Sequence, residues 1–237
     1  MIESITNSKI KYAVKLKQKK YRNLHNQFLV EGDHLVLEAK KNDMIDVLFY
    51  TDNDYNLSNS FKVSTNVMKK LSELGNTTGA IAICNKPVFK ELSSKVLILD
   101  GIQDPGNLGT LIRTAAAFDF RTIVSENTVD YYNEKVIRSS QGALFYTNLI
   151  ETDIIDFVKN NSNYHYYGTD VSSGQSITEE KFKKENIAII LGNEGSGVRK
   201  AIKDLVNTNI NIPMSSTESL NVAIAGGILM YEASKEK

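Results

Sequence analysis

Residues 187–231 read IAIILGNEGSGVRKAIKDLVNTNINIPMSSTESLNVAIAGGILMY, and their pattern indicates the fold class. It begins with a short β-branched apolar run, 187–191, which is typical of a strand buried on both faces. A glycine-rich turn (192–197), a helical pattern (198–205), a second short strand (209–213) and a final helix from about Ser219 follow. Two such strand–loop–helix transitions predict an open α/β sheet, in which ligands bind at the carboxyl ends of the strands.

The glycine-rich turn, Gly192-Asn193-Glu194-Gly195-Ser196-Gly197, differs from the two common phosphate-binding loops. A P-loop needs Gly-Lys-Ser/Thr before the helix, and this turn lacks it. A dinucleotide fingerprint reads G-x-G-x-x-G, whereas this turn has the reverse order, and the carboxylate of Glu194 would repel a pyrophosphate. The turn therefore favours a ligand with positive charge or with hydroxyl and amine groups. A tight turn that needs glycine only for a positive φ is the alternative.

Composition indicates a soluble globular protein of a reducing compartment. The 237 residues suffice for one large or two small domains, with 41% hydrophobic and 24% charged residues. The single cysteine, Cys84, cannot form an internal disulfide. The N-terminus lacks the apolar core of a signal peptide, and no apolar run approaches the ~18 residues of a membrane span. We therefore expect a cytoplasmic protein with no membrane partner.

The net charge is zero, but positive charge is concentrated near the N-terminus. The segment from Lys9 to Arg22 contains lysines and an arginine with no acidic residue among them, and Tyr12 and Tyr21 are interleaved. This distribution favours a basic arm that contacts nucleic-acid phosphates, and a solvated helix face is the alternative. The candidate contacts are Lys15, Lys17, Lys19, Lys20 and Arg22.

Alternating strand and helix patterns predict two domains. Residues 1–86 form a small α/β domain, with strands at 28–30, 47–51, 63 and 80–84 and helices at 33–40 and 66–74. Residues 87–95, with Pro87, are the linker. The second domain, 96–237, has further strands at 96–100, 122–125, 145–150 and 164–170 and helices at 108–118, 134–140 and 153–159. The loop from Ser172 to Thr178 is interpreted as a mobile flap.

The helix 108–118 places Arg113 four residues after Gly109, on the same face. A helical side chain leans toward the N-terminus, so the guanidinium would lie over the space that Gly109 leaves empty. Glycine costs a helix about 1 kcal/mol against alanine, and room for a ligand beside the guanidinium would offset that cost. Close helix packing is the alternative.

Three segments resemble the signature motifs of the SpoU family of RNA ribose 2'-O-methyltransferases, which belongs to the SPOUT class. Residues 107–114, NLGTLIRT, resemble the first motif, N-x-G-x-x-x-R-T/S. Residues 191–197, LGNEGSG, resemble the second, and residues 212–227, IPMSSTESLNVAIAGG, resemble the third. The FLVEG start at 28–32, with the alternation after it, resembles the ribosomal-protein-L30e-like substrate-binding domain that often precedes the catalytic domain.

This resemblance implies an α/β catalytic domain with a parallel sheet, whose C-terminal segment threads a loop to make a trefoil knot. It also implies a homodimer through the knotted region, with an active site often completed by the second subunit. The implied cofactor is S-adenosylmethionine, and no metal is implied. The implied substrate is structured RNA, with ribosomal RNA favoured by the appended domain and transfer RNA as the alternative.

The resemblance assigns catalysis to Arg113 and Asn107, to which we add Glu194. Because arginine stays protonated, we interpret Arg113 as a clamp on the 2'-oxygen and the adjacent phosphate, and Glu194 as a group that orients Arg113 or receives the proton indirectly. Arg138 is a candidate RNA contact, with a surface salt bridge as the alternative. The expected cofactor contacts are Thr169, Gly192, Asn193, Gly197, Ile212, Pro213, Met214, Ser219, Leu220 and Asn221. Gly226 and Gly227 are interpreted as spacers for close helix packing.

Two other functions compete with methyl transfer. An RNA-binding protein with an inactive methyltransferase domain is disfavoured because Asn107, Arg113, Glu194 and Asn221 are all present. A dinucleotide-dependent α/β enzyme is disfavoured because its glycine fingerprint is missing.

Overall fold

The structure, a computed structural model, describes residues 1–53, 55–89, 91–170, 174–179, 182–183, 186–216 and 219–235. Ser172, in the predicted flap, lies outside the described residues. The chain forms two compact units: Met1–Val88 with Tyr132–Phe145, and Phe89–Tyr131 with Tyr146–Lys237. The chain therefore passes between the first unit and the second unit three times. The domain limits 1–86 and 96–237 remain a prediction.

Helices and strands alternate along most of the chain. In chain order the elements are α1 (Ser8–Lys15), α2 (Lys19–His25), β1 (Gln27–Glu31), α3 (Asp33–Lys41), β2 (Ile45–Tyr50), β3 (Ser60–Lys62), α4 (Thr65–Leu71), β4 (Ala80–Asn85), β5 (Lys95–Asp100), α5 (Pro105–Ala117), β6 (Thr122–Glu126), α6 (Glu134–Ser140), a 3-10 helix (Ala143–Tyr146), β7 (Asn148–Glu151), α7 (Ile154–Asn160), β8 (His165–Thr169), β9 (Gln175–Ser176), β10 (Ile187–Gly192), α8 (Lys200–Lys203), β11 (Thr208–Asn211) and α9 (Val222–Ser234).

The first unit is a four-stranded sheet in the order β1-β4-β2-β3. Strand β4 runs antiparallel to β1 and β2, while β3 runs parallel to β2. Helices α1 and α4 contribute Ile10 and Met68 to the core that also buries Phe49 of β2. The segment 132–145 is held to β1 by aromatic contacts, since the ring of Phe28 lies 4.7 Å from that of Tyr132 and 6.3 Å from that of Phe145.

The second unit is a seven-stranded sheet in the order β7-β6-β5-β10-β8-β11-β9. Every neighbouring pair is parallel, which confirms the predicted parallel sheet. All six residues of β10 are buried, as expected for an apolar run at the centre of such a sheet. Parallel strands end at one edge, so the loops after β5, β10, β8 and β11 meet there.

Helix α9 packs against α5 and β10 at close range. A Cβ added to Gly226 would lie 2.6 Å from Cδ2 of Leu111 and 2.7 Å from Cδ1 of Leu191, so no side chain fits without repacking. The spacer role predicted for Gly226 is confirmed, whereas Gly227 has ordinary room, with 3.7 Å to its nearest neighbour. No helix among the described residues has the length and the apolar composition needed to cross a membrane.

Several predicted elements are shorter than the sequence suggests, and three of them have a local cause. The helix expected at 198–205 is only Lys200–Lys203, because the backbone before it is fixed by the glycine-rich turn. The strand expected at 145–150 begins at Asn148, because a 3-10 helix occupies the residues before it. The last helix begins at Val222, where the side chain of Asn221 caps it, and not near Ser219.

Candidate active site

The glycine-rich turn after β10 folds back on itself. The backbones of Asn193 and Gly197 exchange two hydrogen bonds of 3.1 and 2.9 Å. A Cβ on Gly192 would overlap the backbone of Gly197, and Gly197 itself has φ +69°, so both positions require glycine. The Asn193 side chain accepts from the amide of Gly195 at 2.9 Å and donates to the carbonyl of Gly101 at 2.8 Å. The turn is therefore a fixed frame of backbone groups.

A cavity of about 520 Å³ opens beside this turn, at the carboxyl edge of the second unit's sheet. Its volume lies within the usual range for small-molecule sites. Eight predicted cofactor contacts line it: Thr169, Gly192, Asn193, Gly197, Ile212, Met214, Ser219 and Leu220. The remaining two, Pro213 and Asn221, are not among the described residues that line it. The Thr169 hydroxyl donates to the carbonyl of Ile190 at 3.0 Å, which ties the end of β8 to β10.

The cavity also contains a charged pair that the sequence did not reveal. Lys203 Nζ lies 2.9 Å from Asp170 Oδ2, and both residues line the cavity with Glu194. Because Lys203 and Asp170 compensate each other, the carboxylate of Glu194 gives the described lining a net negative charge. The mixture of backbone groups, apolar side chains and one carboxylate fits the expected cofactor, whose sulfonium and amino groups are cationic.

Asn107 joins the three predicted motifs. Its Nδ2 donates to Glu194 Oε1 at 3.0 Å, and its Oδ1 accepts from Asn221 Nδ2 at 3.0 Å. Two members of this chain of bonds, Asn107 and Asn221, lie at helix N-termini. The side chain of Asp104 caps α5 by accepting from the Asn107 amide at 2.8 Å, and Asn221 caps α9 by accepting from the amide of Ala223 at 2.9 Å. The side chains of Asn107, Glu194 and Asn221 are therefore held in one orientation.

Arg113 lies farther along α5 from Asn107, with an exposed side chain. It has no hydrogen-bond or ion-pair partner within the described ranges of the chain. Glu194 is bonded to Asn107, so the described residues show no direct orientation of Arg113 by Glu194. Gly109, one turn before Arg113, is buried. The guanidinium is consequently available to an external anion.

A second polar cluster, which the sequence did not reveal, fixes the exit of the glycine-rich turn. The Arg199 guanidinium donates from Nε to Asp100 Oδ1 at 2.6 Å and lies 2.6 Å from Glu126 Oε2, while the Arg199 amide donates to Asp100 Oδ2 at 2.9 Å. Asp100 is 2% exposed. The hydrogen bond from Arg199 lowers the pKa of Glu126, and the same bond, aided by Asp100, raises the pKa of Arg199. The sequence held one signal for this cluster, since Asp100 and Glu126 are carboxylates at the ends of two successive predicted strands.

Some of the predicted RNA contacts of the first unit are exposed, and others are engaged in contacts within that unit. Lys15, Lys19 and Lys20 are exposed. Arg22 is 8% exposed, and its Nη1 donates to the carbonyl of Leu16 at 3.1 Å, so it closes the turn between α1 and α2.

Lys17 and Arg138 make contacts within the first unit. Lys17 Nζ donates to the carbonyl of Ser72 at 3.0 Å. Arg138 Nη2 lies 3.4 Å from Glu134 Oε2, which is the surface salt bridge named as the alternative for this residue.

Comparison with known proteins agrees with this geometry. Residues 94–231 match the model of the SpoU rRNA methylase family, and residues 7–82 match that of the MRM3-like substrate-binding domain. The chain belongs to the SpoU rRNA methylase family. The predicted family is confirmed, and with it the enzyme class, an RNA 2'-O-methyltransferase that uses S-adenosylmethionine.

Relatives resemble this SpoU family member along nearly its whole length. The 23S rRNA (guanosine(2553)-2'-O)-methyltransferase RlmP of Bacillus subtilis is 35% identical, over 97% of this chain and 97% of the relative. The structure of an rRNA methyltransferase from Sinorhizobium meliloti with bound AdoMet has a TM-score of 0.84 at 25% identity, covering 98% of this chain and 96% of that one. An RNA 2'-O ribose methyltransferase structure has a TM-score of 0.78 at 27% identity, covering 98% and 97%.

Proposed function

We propose that this protein methylates a ribose 2'-hydroxyl of ribosomal RNA. The observation that carries the proposal is the Glu194–Asn107–Asn221 chain of hydrogen bonds beside a cavity fit for the cofactor. Arg113, which has no partner among the described residues, lies on the helix that also carries Asn107. The preference for ribosomal over transfer RNA rests on the similarity to RlmP across the full chain. Action on ribosomal RNA would place the protein in the cytoplasm.

The cofactor would be held mainly by the main chain of the cavity. Backbone groups at Gly192, Ile212 and Leu220 are available to an adenosine, and the Glu194 carboxylate offers a counter-charge. S-adenosylmethionine supplies an electrophilic methyl group when it is bound. Positioning of the acceptor against this group would then provide much of the rate.

The acceptor hydroxyl must lose its proton to become a nucleophile. Arginine side chains do not act as bases in proteins, so we assign Arg113 the stabilisation of negative charge on the 2'-oxygen and the neighbouring phosphate. Glu194 is the proton acceptor in this proposal, through Oε2, because Asn107 already donates to Oε1. Asn221 keeps Asn107 turned toward Glu194 by donating to its carbonyl oxygen.

Methyl transfer to isolated RNA tests this function. Unmodified ribosomal RNA and total transfer RNA are incubated in parallel with the enzyme and a labelled methyl donor, and the products are mapped for 2'-O-methyl groups. We expect one ribosomal site to be labelled. Labelling of transfer RNA alone would move the substrate to that class, and cofactor binding without any labelling would favour the inactive RNA-binding protein.

We also propose that the C-terminal segment forms the family's trefoil knot and that two copies associate through it. Helix α9 is apolar on all sides up to Tyr231, which is typical of a helix covered by a partner, yet Ile224 is 55% and Tyr231 51% exposed in the single chain. We propose that a second copy of this chain covers the exposed apolar side of α9. The first unit, with its four-stranded sheet, is proposed to be the L30e-like substrate domain.

Light scattering after size-exclusion chromatography tests the association. We expect Ile224→Asp to be a monomer, while Leu37→Asp, at an exposed leucine of the first unit, stays a dimer. A monomeric wild-type protein would contradict the proposal.

A further inference from the structure

Aromatic rings lie among the exposed cations of α1 and α2. The ring centroids of Tyr12 and His25 are 5.0 Å apart, and those of Tyr21 and His25 are 6.5 Å apart with planes within 8° of parallel. The ammonium groups of Lys15 and Lys20 lie 5.6 and 6.0 Å from the Tyr21 centroid. We call Lys15, Lys20, Tyr21, Leu24 and His25 the Tyr21 surface.

Hydrogen bonds and core packing fix the side chains of the Tyr21 surface and its neighbours. The Tyr12 hydroxyl donates to Gln27 Oε1 at 2.6 Å, and Gln27 Nε2 in turn donates to Asp46 Oδ2 at 3.0 Å. Tyr12 and Tyr21 both pack against the core of the first unit. The buried guanidinium of Arg22 closes the turn between the two helices. The rings are therefore held in place before any ligand arrives, which lowers the entropy lost on binding.

The same surface is open and positively charged. Leu24 is 67% exposed, and Lys15, Lys20 and His25 are also exposed. No aspartate or glutamate occurs between residues 4 and 30. Distances near 6 Å are at the outer limit for cation–π contacts, so the two ammonium groups are only weakly committed to the ring.

We propose that the Tyr21 surface binds an unpaired segment of RNA, with a base stacked on Tyr21 and His25 and with Lys15 and Lys20 on the flanking phosphates. The proposal takes its RNA partner from the function proposed above and adds the mode of recognition. Exposed bases of single strands stack on aromatic side chains, and lysines track the adjoining backbone.

A purely electrostatic surface for duplex RNA is the competing explanation. Paired bases are already stacked within the helix, so a duplex would use the lysines and leave the rings and Leu24 without a role. Parallel rings beside an exposed leucine provide the apolar platform that an unstacked base requires. The observations therefore favour a single strand.

Fluorescence anisotropy with the full-length protein tests the mode of binding. The probes are a labelled twelve-nucleotide oligoadenylate and a labelled RNA duplex of the same length, titrated at several salt concentrations without cofactor. The variants are Tyr21→Leu, Tyr21→Phe, the double change Lys15→Gln with Lys20→Gln, and Lys159→Gln as an exposed lysine of the second unit.

We expect Tyr21→Leu to weaken oligoadenylate binding roughly tenfold and to leave duplex binding unchanged, while Tyr21→Phe stays near the wild type. The double lysine change should reduce the slope of log affinity against log salt by about 1.4, from two phosphates at about 0.7 each on a single strand. Lys159→Gln should leave that slope unchanged. Equal loss for both probes in Tyr21→Leu, or no loss for either, would overturn the stacking mode.

Ultraviolet cross-linking of the wild-type protein to the same oligoadenylate gives a test that needs no variant. We expect the adduct to map to residues 12–25, and an adduct confined to other parts of the chain would overturn the proposal. This outcome is independent of methyl transfer. An enzyme that methylates RNA but fails both binding tests would lose only the Tyr21 surface, whereas a protein that passes them and never methylates would lose only the proposed function.

Discussion

Asn107 Nδ2 and Glu194 Oε1 lie 3.0 Å apart, although 87 positions separate the two residues in the chain. The bond joins the start of α5 to the glycine-rich turn after β10, and a further bond from Asn221 adds the start of α9. A neutral amide is the side chain that can serve both neighbours at once, because it donates to the carboxylate and accepts from the second amide.

Asn107→Asp should therefore inactivate the enzyme while leaving its fold intact. The new carboxylate cannot donate to Glu194 and repels it, so the proposed proton acceptor loses its position, and a positioned general base is worth about 10²–10⁴ in rate. Single-turnover methyl transfer measures the effect, and circular dichroism confirms folding. A well-folded variant with the wild-type rate would remove Asn107 from the mechanism.

Arg113→Ala should abolish transfer and leave cofactor affinity within about twofold, because Arg113 has no partner among the described residues and does not line the cavity. The loss should be about 10²-fold or more if the guanidinium stabilises the developing charge. Arg113→Lys should recover only part of it, since lysine lacks the planar fork. Calorimetry with S-adenosylhomocysteine and turnover assays separate the two effects. Arg121→Ala, at an exposed arginine of the same unit, is the control.

Gly192→Ala and Gly195→Ala form a matched pair in the glycine-rich turn. A Cβ at Gly192 would overlap the backbone of Gly197, whereas a Cβ at Gly195 would meet its nearest neighbour, Asn193 Oδ1, at 3.5 Å. We expect Gly192→Ala to destabilise the fold by about 1–3 kcal/mol and to weaken cofactor binding. Gly195→Ala should match the wild type in thermal unfolding, and calorimetry of Gly192→Ala measures the loss of cofactor binding. Equal behaviour of the two variants would contradict the assigned close approach.

Arg199→Ala should destabilise the second unit because it leaves the buried carboxylate of Asp100 uncompensated. Breaking such a pair costs several kcal/mol, and we expect about 2 kcal/mol here, because the Arg199 side chain is 43% exposed. The Arg121–Asp119 pair, with both side chains 64% exposed, is the control, and Arg121→Ala should change stability by less than about 0.5 kcal/mol. Urea unfolding compares them.

Glu126 should make the stability of the protein depend on acid pH. Arg199 lowers the pKa of the folded-state carboxyl below its ordinary value of 4.5, so the unfolded chain takes up protons first as the pH falls. The contribution of Glu126 is therefore complete above pH 4.5 and is lost as the pH falls through the lowered pKa. Glu126→Gln should be less stable than the wild type at neutral pH, and the difference should shrink on acidification. Urea midpoints from neutral to acid pH measure it.

The sequence predicted the central strands and the three motifs because their signals are local. The short β-branched run at 187–191 favours a buried strand, which the structure confirms, and the helix predicted at 134–140 is present with those limits. The cofactor contacts followed from the resemblance and from the rule that ligands bind where parallel strands end, and Thr169 was placed by that rule alone.

The remainder depends on contacts between distant residues. Arg199 finds Asp100 and Glu126 at 99 and 73 positions away, which no local pattern specifies. In the sequence, Arg22 cannot be distinguished from the other cations of the basic segment. Its guanidinium is buried because it bonds to the carbonyls that the break between α1 and α2 exposes. The short α8 reflects the fixed turn before it, although the sequence from 198 to 205 has helical spacing throughout.

The excursion of residues 132–145 into the first unit limits how the protein can be divided. A fragment that began at residue 89 would carry Tyr132 and Phe145 without Phe28, the ring against which both lie. Conversely, a fragment that ended at residue 88 would leave one side of β1 open to water. A chimaera made by a single crossover between the genes of two relatives would therefore pair residues 132–145 of one parent with β1 of the other, and the aromatic rings would not match. A working chimaera must take β1 and residues 132–145 from the same parent.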